Sequence, residues 1–104
     1  MELENKNNIT QLSLQAKREF ISKFCISAKI KNNVSNNPNL SFIDIFLKAL
    51  DNDGKKIFTE EFINNNTNSN WYLNYYSKNF YYKKLNFLVN LFIGFINDIK
   101  SSKL

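Results

Sequence analysis

Between Lys78 and Ile99 apolar side chains return every three or four residues, at Tyr81, Leu85, Leu88, Phe92, Ile96 and Ile99. That spacing keeps one face of an α-helix apolar along its length; a strand, whose faces alternate every second residue, cannot use it. Such a helix has to lay its stripe against other elements of matching period. From Thr10 to about Lys31 the pattern is again helical: Leu12, Ala16, Phe20 and Phe24 recur four apart, and Ile21, Cys25 and Ala28 widen the stripe. Lys17, Arg18, Lys23, Lys29 and Lys31 fall mostly off it. Pro38 disfavours helix at Asn37, and Ser41 with Asp44 resembles a capping box, so a second helix is expected from Ser41 to about Leu50. Its residues Phe42, Ile43, Ile45, Phe46, Leu47, Ala49 and Leu50 are apolar almost all round, which predicts burial on more than one side.

A third helix is expected over Asp53 to Asn64, with Ile57, Phe58, Phe62 and Ile63 facing inward. A short helix from Trp71 to Tyr76 follows, then Ser77 as the N-cap of the last helix, Lys78 to Ile99. No stretch alternates as a strand would, and no repeat is present. The fold expected is all-α: a single domain of 104 residues, a small bundle of four to five helices with a C-terminal helix-turn-helix-like unit over residues 50–92. Residues 1–8 are polar and expected to be disordered.

Several function classes are excluded by what the chain lacks. It has no His, so neither His-based catalysis nor the usual zinc site is expected. Cys25 is the only cysteine and sits on an apolar helical face, which suits a small core residue rather than a nucleophile. With no internal disulfide possible, a reducing compartment is favoured. The polar, acidic N-terminus is no signal peptide, and Leu85–Ile99 carries Asn86, Asn90 and Asn97 and is too short to span a bilayer. The expectation is a cytoplasmic protein that is not an enzyme and has no cofactor, no metal and no membrane span.

The stretch from Asp51 to Phe62, DNDGKKIFTEEF, imitates a calcium loop. An EF-hand needs oxygen ligands at loop positions 1, 3, 5 and 12, glycine at 6 and an apolar residue at 8. Setting Gly54 at position 6 brings Asp51, Asp53 and Glu60 into register, but leaves Ala49 at the first ligand site and Lys56 at the apolar site. Setting Asp51 at position 1 puts Phe62 where the bidentate glutamate belongs. No calcium site is expected; the aspartates are instead expected to start the third helix.

Charge points to a partner. The net charge is +5, and residues 71–104 hold Lys78, Lys83, Lys84, Lys100 and Lys103 against Asp98 alone. A basic C-terminal third suits a polyanion. Leu50 opens a polar turn, the pairs Ile57-Phe58 and Phe62-Ile63 follow, and Tyr81, Leu85, Leu88 and Phe92 space the core side of the last helix, with the run Ser77–Leu85 at its start. In these features residues 50–92 resemble the −35-recognition domain of sigma factors and the related small phage-type helix-turn-helix regulators.

The resemblance implies a recognition helix beginning at Lys78 and lying in the major groove of duplex DNA. Asn79 and Asn86 would pair with adenine, Tyr82 and Lys83 would touch base edges or phosphates, and Lys78 and Lys84 would hold the backbone. Phe87, Leu91 and Phe95 form a second apolar face on the same helix, expected to make a homodimer. The other reading is a helical protein-interaction or dimerisation module, using the segments 41–50 and 85–99, with no nucleic-acid role.

Overall fold

A computed structural model describes residues 13–32, 38–66 and 68–102. Four α-helices occur among them: α1 (Leu14–Asn32), α2 (Pro38–Lys48), α3 (Asn52–Phe58) and α4 (Lys78–Ser102). A π-helical turn, Thr59–Ile63, continues α3, and a single 3-10 turn, Trp71–Asn74, precedes α4. The fold is a small all-α bundle, and no strand occurs among the described residues.

The stripe on α4 is the spine of the core. Tyr81, Leu85, Leu88, Phe92 and Ile96 are buried as their spacing requires, and Val89 and Ile93 complete the inward face. Phe92 is the junction: its ring lies 5.6 Å from Phe24 of α1, 4.9 Å from Phe46 of α2 and 5.2 Å from Phe58 of α3. One aromatic therefore ties the three other helices to α4, with edge-on and tilted contacts of the kind ring quadrupoles favour. Cys25 is buried in this core, as expected.

The structure corrects several boundaries and faces. In α1 the centre of the buried face is Ile21, Cys25 and Ala28, while Ala16, Phe20 and Phe24 lie at its half-buried edge; Leu12 lies outside the described residues. Lys17 does not fall off that face. It is only 8% exposed, because it stands four residues before Ile21 on the same helical row, and its Nζ donates to Asn90 Oδ1 of α4 at 2.8 Å. α2 begins at Pro38 rather than Ser41, since proline's missing N–H costs nothing at a first helical position; Asn37 lies outside the described residues. α2 is buried on one side only: Ile43 and Phe46, with Leu50 just beyond its end, face the core, whereas Ile45 stays 56% exposed and the following Ala49 is exposed.

The third helix spans the expected region but not as one regular helix. Asp51 caps it, accepting from Gly54 N at 2.8 Å, and the π turn is closed by Asn64 N donating to Thr59 O at 2.8 Å. The wider turn keeps Phe58 and Phe62 in contact, 4.9 Å apart, both in the core. Asn65, at φ 50°, reverses the chain; a short polar side chain tolerates that left-handed geometry. The short helix expected from Trp71 to Tyr76 is one 3-10 turn, because Trp71 and Tyr72 are both drawn into the core within it. A single 3-10 turn thus stands before α4 where the first α-helix of a helix-turn-helix was expected. Among the described residues no helix is long and apolar enough to cross a membrane.

Candidate functional site on helix α4

The N-terminal half of α4 is held rigidly from behind. Ser77 Oγ accepts from Phe80 N at 3.1 Å, capping the helix as its position predicts. One turn in, Tyr81 lies flat on Tyr72, with ring centroids 3.7 Å apart and planes within 1°. The Tyr81 hydroxyl donates to Glu61 Oε2. The same carboxylate accepts from Trp71 Nε1 at 2.9 Å and from Arg18 Nη2 at 3.0 Å. Glu61 therefore joins α1, the π turn, the 3-10 turn and α4 at one point. Burial, and then the hydrogen bond to Glu61, push the Tyr81 phenol well above its ordinary range. Sequence reasoning missed this hub. Its only trace was a glutamate beside Phe62, in a helix expected to pack inward.

With its inner face fixed, α4 presents two outward flanks. On one flank Lys78, Asn79, Tyr82, Lys83 and Asn86 are all exposed, which brings together five of the six expected DNA contacts. The sixth, Lys84, is half-buried and turned the other way, donating to Asp51 Oδ2 at 2.8 Å. The Tyr82 ring stands edge-on to both Tyr72 and Tyr81, so the core aromatics set its direction. One further lysine, Lys56 of α3, lies near this end, with its Nζ 4.0 Å from the centre of the Tyr75 ring.

The other flank is apolar. Phe87 is 55% and Leu91 43% exposed, and Phe95 is half-buried against Phe46. Leu91 and Phe95, with Gly94, form one wall of a groove of about 370 Å³ whose other wall is Ile45 and Phe46 of α2 and Ala49 just beyond it. The expected interface residues thus share one surface, and α2 contributes to it through the side the sequence reading had placed in the core.

The carboxylates of the calcium-like stretch point to separate partners. Asp51 caps α3 and binds Lys84; Asp53 accepts from the Tyr76 hydroxyl at 3.2 Å; Glu60 accepts from Asn64 and Asn66. The Lys84 ammonium, and then the Gly54 amide, hold the Asp51 carboxyl below its ordinary value. Among the described residues no three His, Cys, Asp or Glu side chains form a metal-binding cluster.

The chain matches no known family, no curated protein and no solved structure. Function has to be argued from these two flanks.

Proposed function

We propose that the protein is a small, non-enzymatic, transcription-regulator-like DNA-binding module of the cytoplasm, which lays the first half of α4 along the major groove. The observation that carries this reading is the grouping of Lys78, Asn79, Tyr82, Lys83 and Asn86 on one exposed flank, opposite the deeply buried Tyr81, Leu85 and Leu88. Carboxamides pair bidentately with adenine, and lysines neutralise phosphates. A flank braced by a buried core holds the backbone beneath those groups in place before binding, which lowers the ordering cost. Its other partner is a second copy of the chain, through Phe87, Leu91 and Phe95.

A second reading is favoured by one observation, the open α2–α4 groove: a protein-interaction module without nucleic acid. Fluorescence anisotropy with random duplex DNA at two salt concentrations separates the two. DNA binding gives a dissociation constant in the micromolar range or tighter that weakens steeply with salt. Lys78→Glu with Lys83→Glu abolishes it, and neutralising the same pair reduces the salt slope by about two. Lys84 is left intact, since it braces the start of α3. Absence of binding at low salt removes the DNA reading and leaves the interaction module.

A further inference from the structure

The apolar flank of α4 has a register of its own. Phe80, Lys84, Phe87, Leu91, Gly94 and Asp98 follow one another at alternating steps of four and three residues, the seam spacing of paired helices. None of the six is on the core side: Phe80, Phe87, Leu91 and Asp98 are exposed, and Lys84 and Gly94 are half-exposed. The charges of the seam are symmetric about Leu91, Lys84 seven positions before it and Asp98 seven after; Phe95, which borders the seam beside Gly94, lies four positions after Leu91 as Phe87 lies four before.

We propose that two copies of this chain pair through α4, antiparallel, about a twofold axis at Leu91. In an isologous interface residue i meets residue j and j meets i. The antiparallel register therefore sets Lys84 against the second copy's Asp98 twice, Phe87 against its Phe95 twice, and Leu91 against itself. A parallel pair would oppose lysine to lysine and aspartate to aspartate. Charge complementarity thus selects both the occupant of the flank and its direction. Lys84 uses one N–H on Asp51 and has further donors for a second carboxylate. Asp98 makes no ion pair among the described residues.

Shape agrees with charge. A methyl group placed at Gly94 would have no atom within 4 Å, so the helix surface is open at that step. The opening continues into the groove walled by Ile45, Phe46, Ala49, Leu91 and Phe95. The same register carries the Phe87 ring of the second copy to the Gly94–Phe95 step, as a knob into a hole. The absence of side chain at Gly94 and the exposure of Phe87 are then two halves of one contact. This deepens the self-association named above and is independent of DNA binding.

Sedimentation velocity over a concentration series, with no nucleic acid present, tests it. The wild-type chain sediments as a dimer. Phe87→Ala and Asp98→Lys, both surface changes, each raise the dimer dissociation constant by about tenfold or more, while circular dichroism stays native. Leu91→Cys forms a disulfide-linked dimer under mild oxidation, because the axis brings that position against its own copy; Leu73→Cys, at a position 55% exposed on the 3-10 turn, does not. A wild-type monomer at the highest soluble concentration overturns the pairing altogether. A dimer indifferent to Phe87→Ala and Asp98→Lys, or one in which Leu91→Cys crosslinks no faster than Leu73→Cys, overturns the antiparallel geometry.

Discussion

Glu61 shows how much one part-buried carboxylate can organise. It satisfies an indole N–H, a phenol and a guanidinium, and its side chain is 12% exposed. Removing it would leave a tryptophan donor and a tyrosine donor unpaired inside the protein and Arg18 without its counter-charge. Glu61→Ala is therefore expected to destabilise the fold by about 3 kcal/mol, read as a lower denaturation midpoint, with near-ultraviolet dichroism reporting the freed Trp71. The same contact sets an alkaline limit. Burial and Glu61 raise the Tyr81 phenol, and burial with Asp53 raises Tyr76 to about 12. In the unfolded chain both phenols ionise near pH 10. The folded state holds these protons more tightly, so this contribution is fully present below about pH 10 and is lost as pH rises through the folded values. Denaturation midpoints between pH 8 and 11 should be flat at first and then fall; a flat profile to pH 11 would refute the argument. None of this was legible in the sequence, because the partners of Glu61 lie 43, 10 and 20 positions away. Helical period reports which face a residue occupies, not which distant polar group awaits it. Lys17 is the milder case: its register did point inward, and its charge argued the other way.

Among the elements, the long stripe of α4 was largely legible, that of α1 named the edge of the buried face more than its centre, and elements defined by a few residues were misread. α4 extends to Ser102, slightly beyond its expected end; Tyr81, Leu85, Leu88, Phe92 and Ile96 are buried as the period names, while Ile99 is half-buried and Val89 and Ile93, which the stripe omitted, join the core. The π turn and the 3-10 turn carry no period, and tertiary demands on Glu61, Phe62, Trp71 and Tyr72 shaped them. The calcium-like stretch makes the point most directly. Gly54 is needed for close approach: a Cβ there would stand 2.8 Å from Asp51 Oδ1 and 3.3 Å from Leu88 Cδ2. Alanine is the better helix former by about 1 kcal/mol, yet the added methyl would push Asp51 from its cap and from Lys84 and press on a fully buried leucine. Gly54→Ala is thus expected to destabilise by about 1 kcal/mol net, the reverse of what propensity alone gives. Urea denaturation beside Ser77→Ala, expected to cost about 1 kcal/mol through its lost cap, sets the scale. A stabilised Gly54→Ala would show that the junction of α3 and α4 yields easily.

At the scale of the molecule, the two flanks of α4 constrain each other. A twofold axis relating antiparallel helices runs perpendicular to both, so a flank facing up on one copy faces up on the other. By helical rotation of about 100° per residue, Lys83, Asn79 and Asn86 lie to one side of a seam centred on Leu91, and on both copies these three would open on the same face of the dimer, while Tyr82, nine positions from Leu91, would point away from the partner. Asn79 is twelve positions from Leu91. At about 1.5 Å per residue, the two Asn79 side chains would stand about 36 Å apart along the helices, so the paired chains would touch DNA at two separated places. The DNA reading and the pairing then make a joint prediction that neither makes alone. A duplex of about 12 base pairs offers one half-site, so wild type and Phe87→Ala should bind it equally. A duplex of about 24 base pairs offers two half-sites one turn apart, and wild type should bind it at least tenfold tighter than Phe87→Ala does, by the effective concentration of the second contact. Equal loss on both duplexes would place Phe87 in the DNA contact itself. Equal affinity on both would mean that the paired chains do not present their polar flanks together.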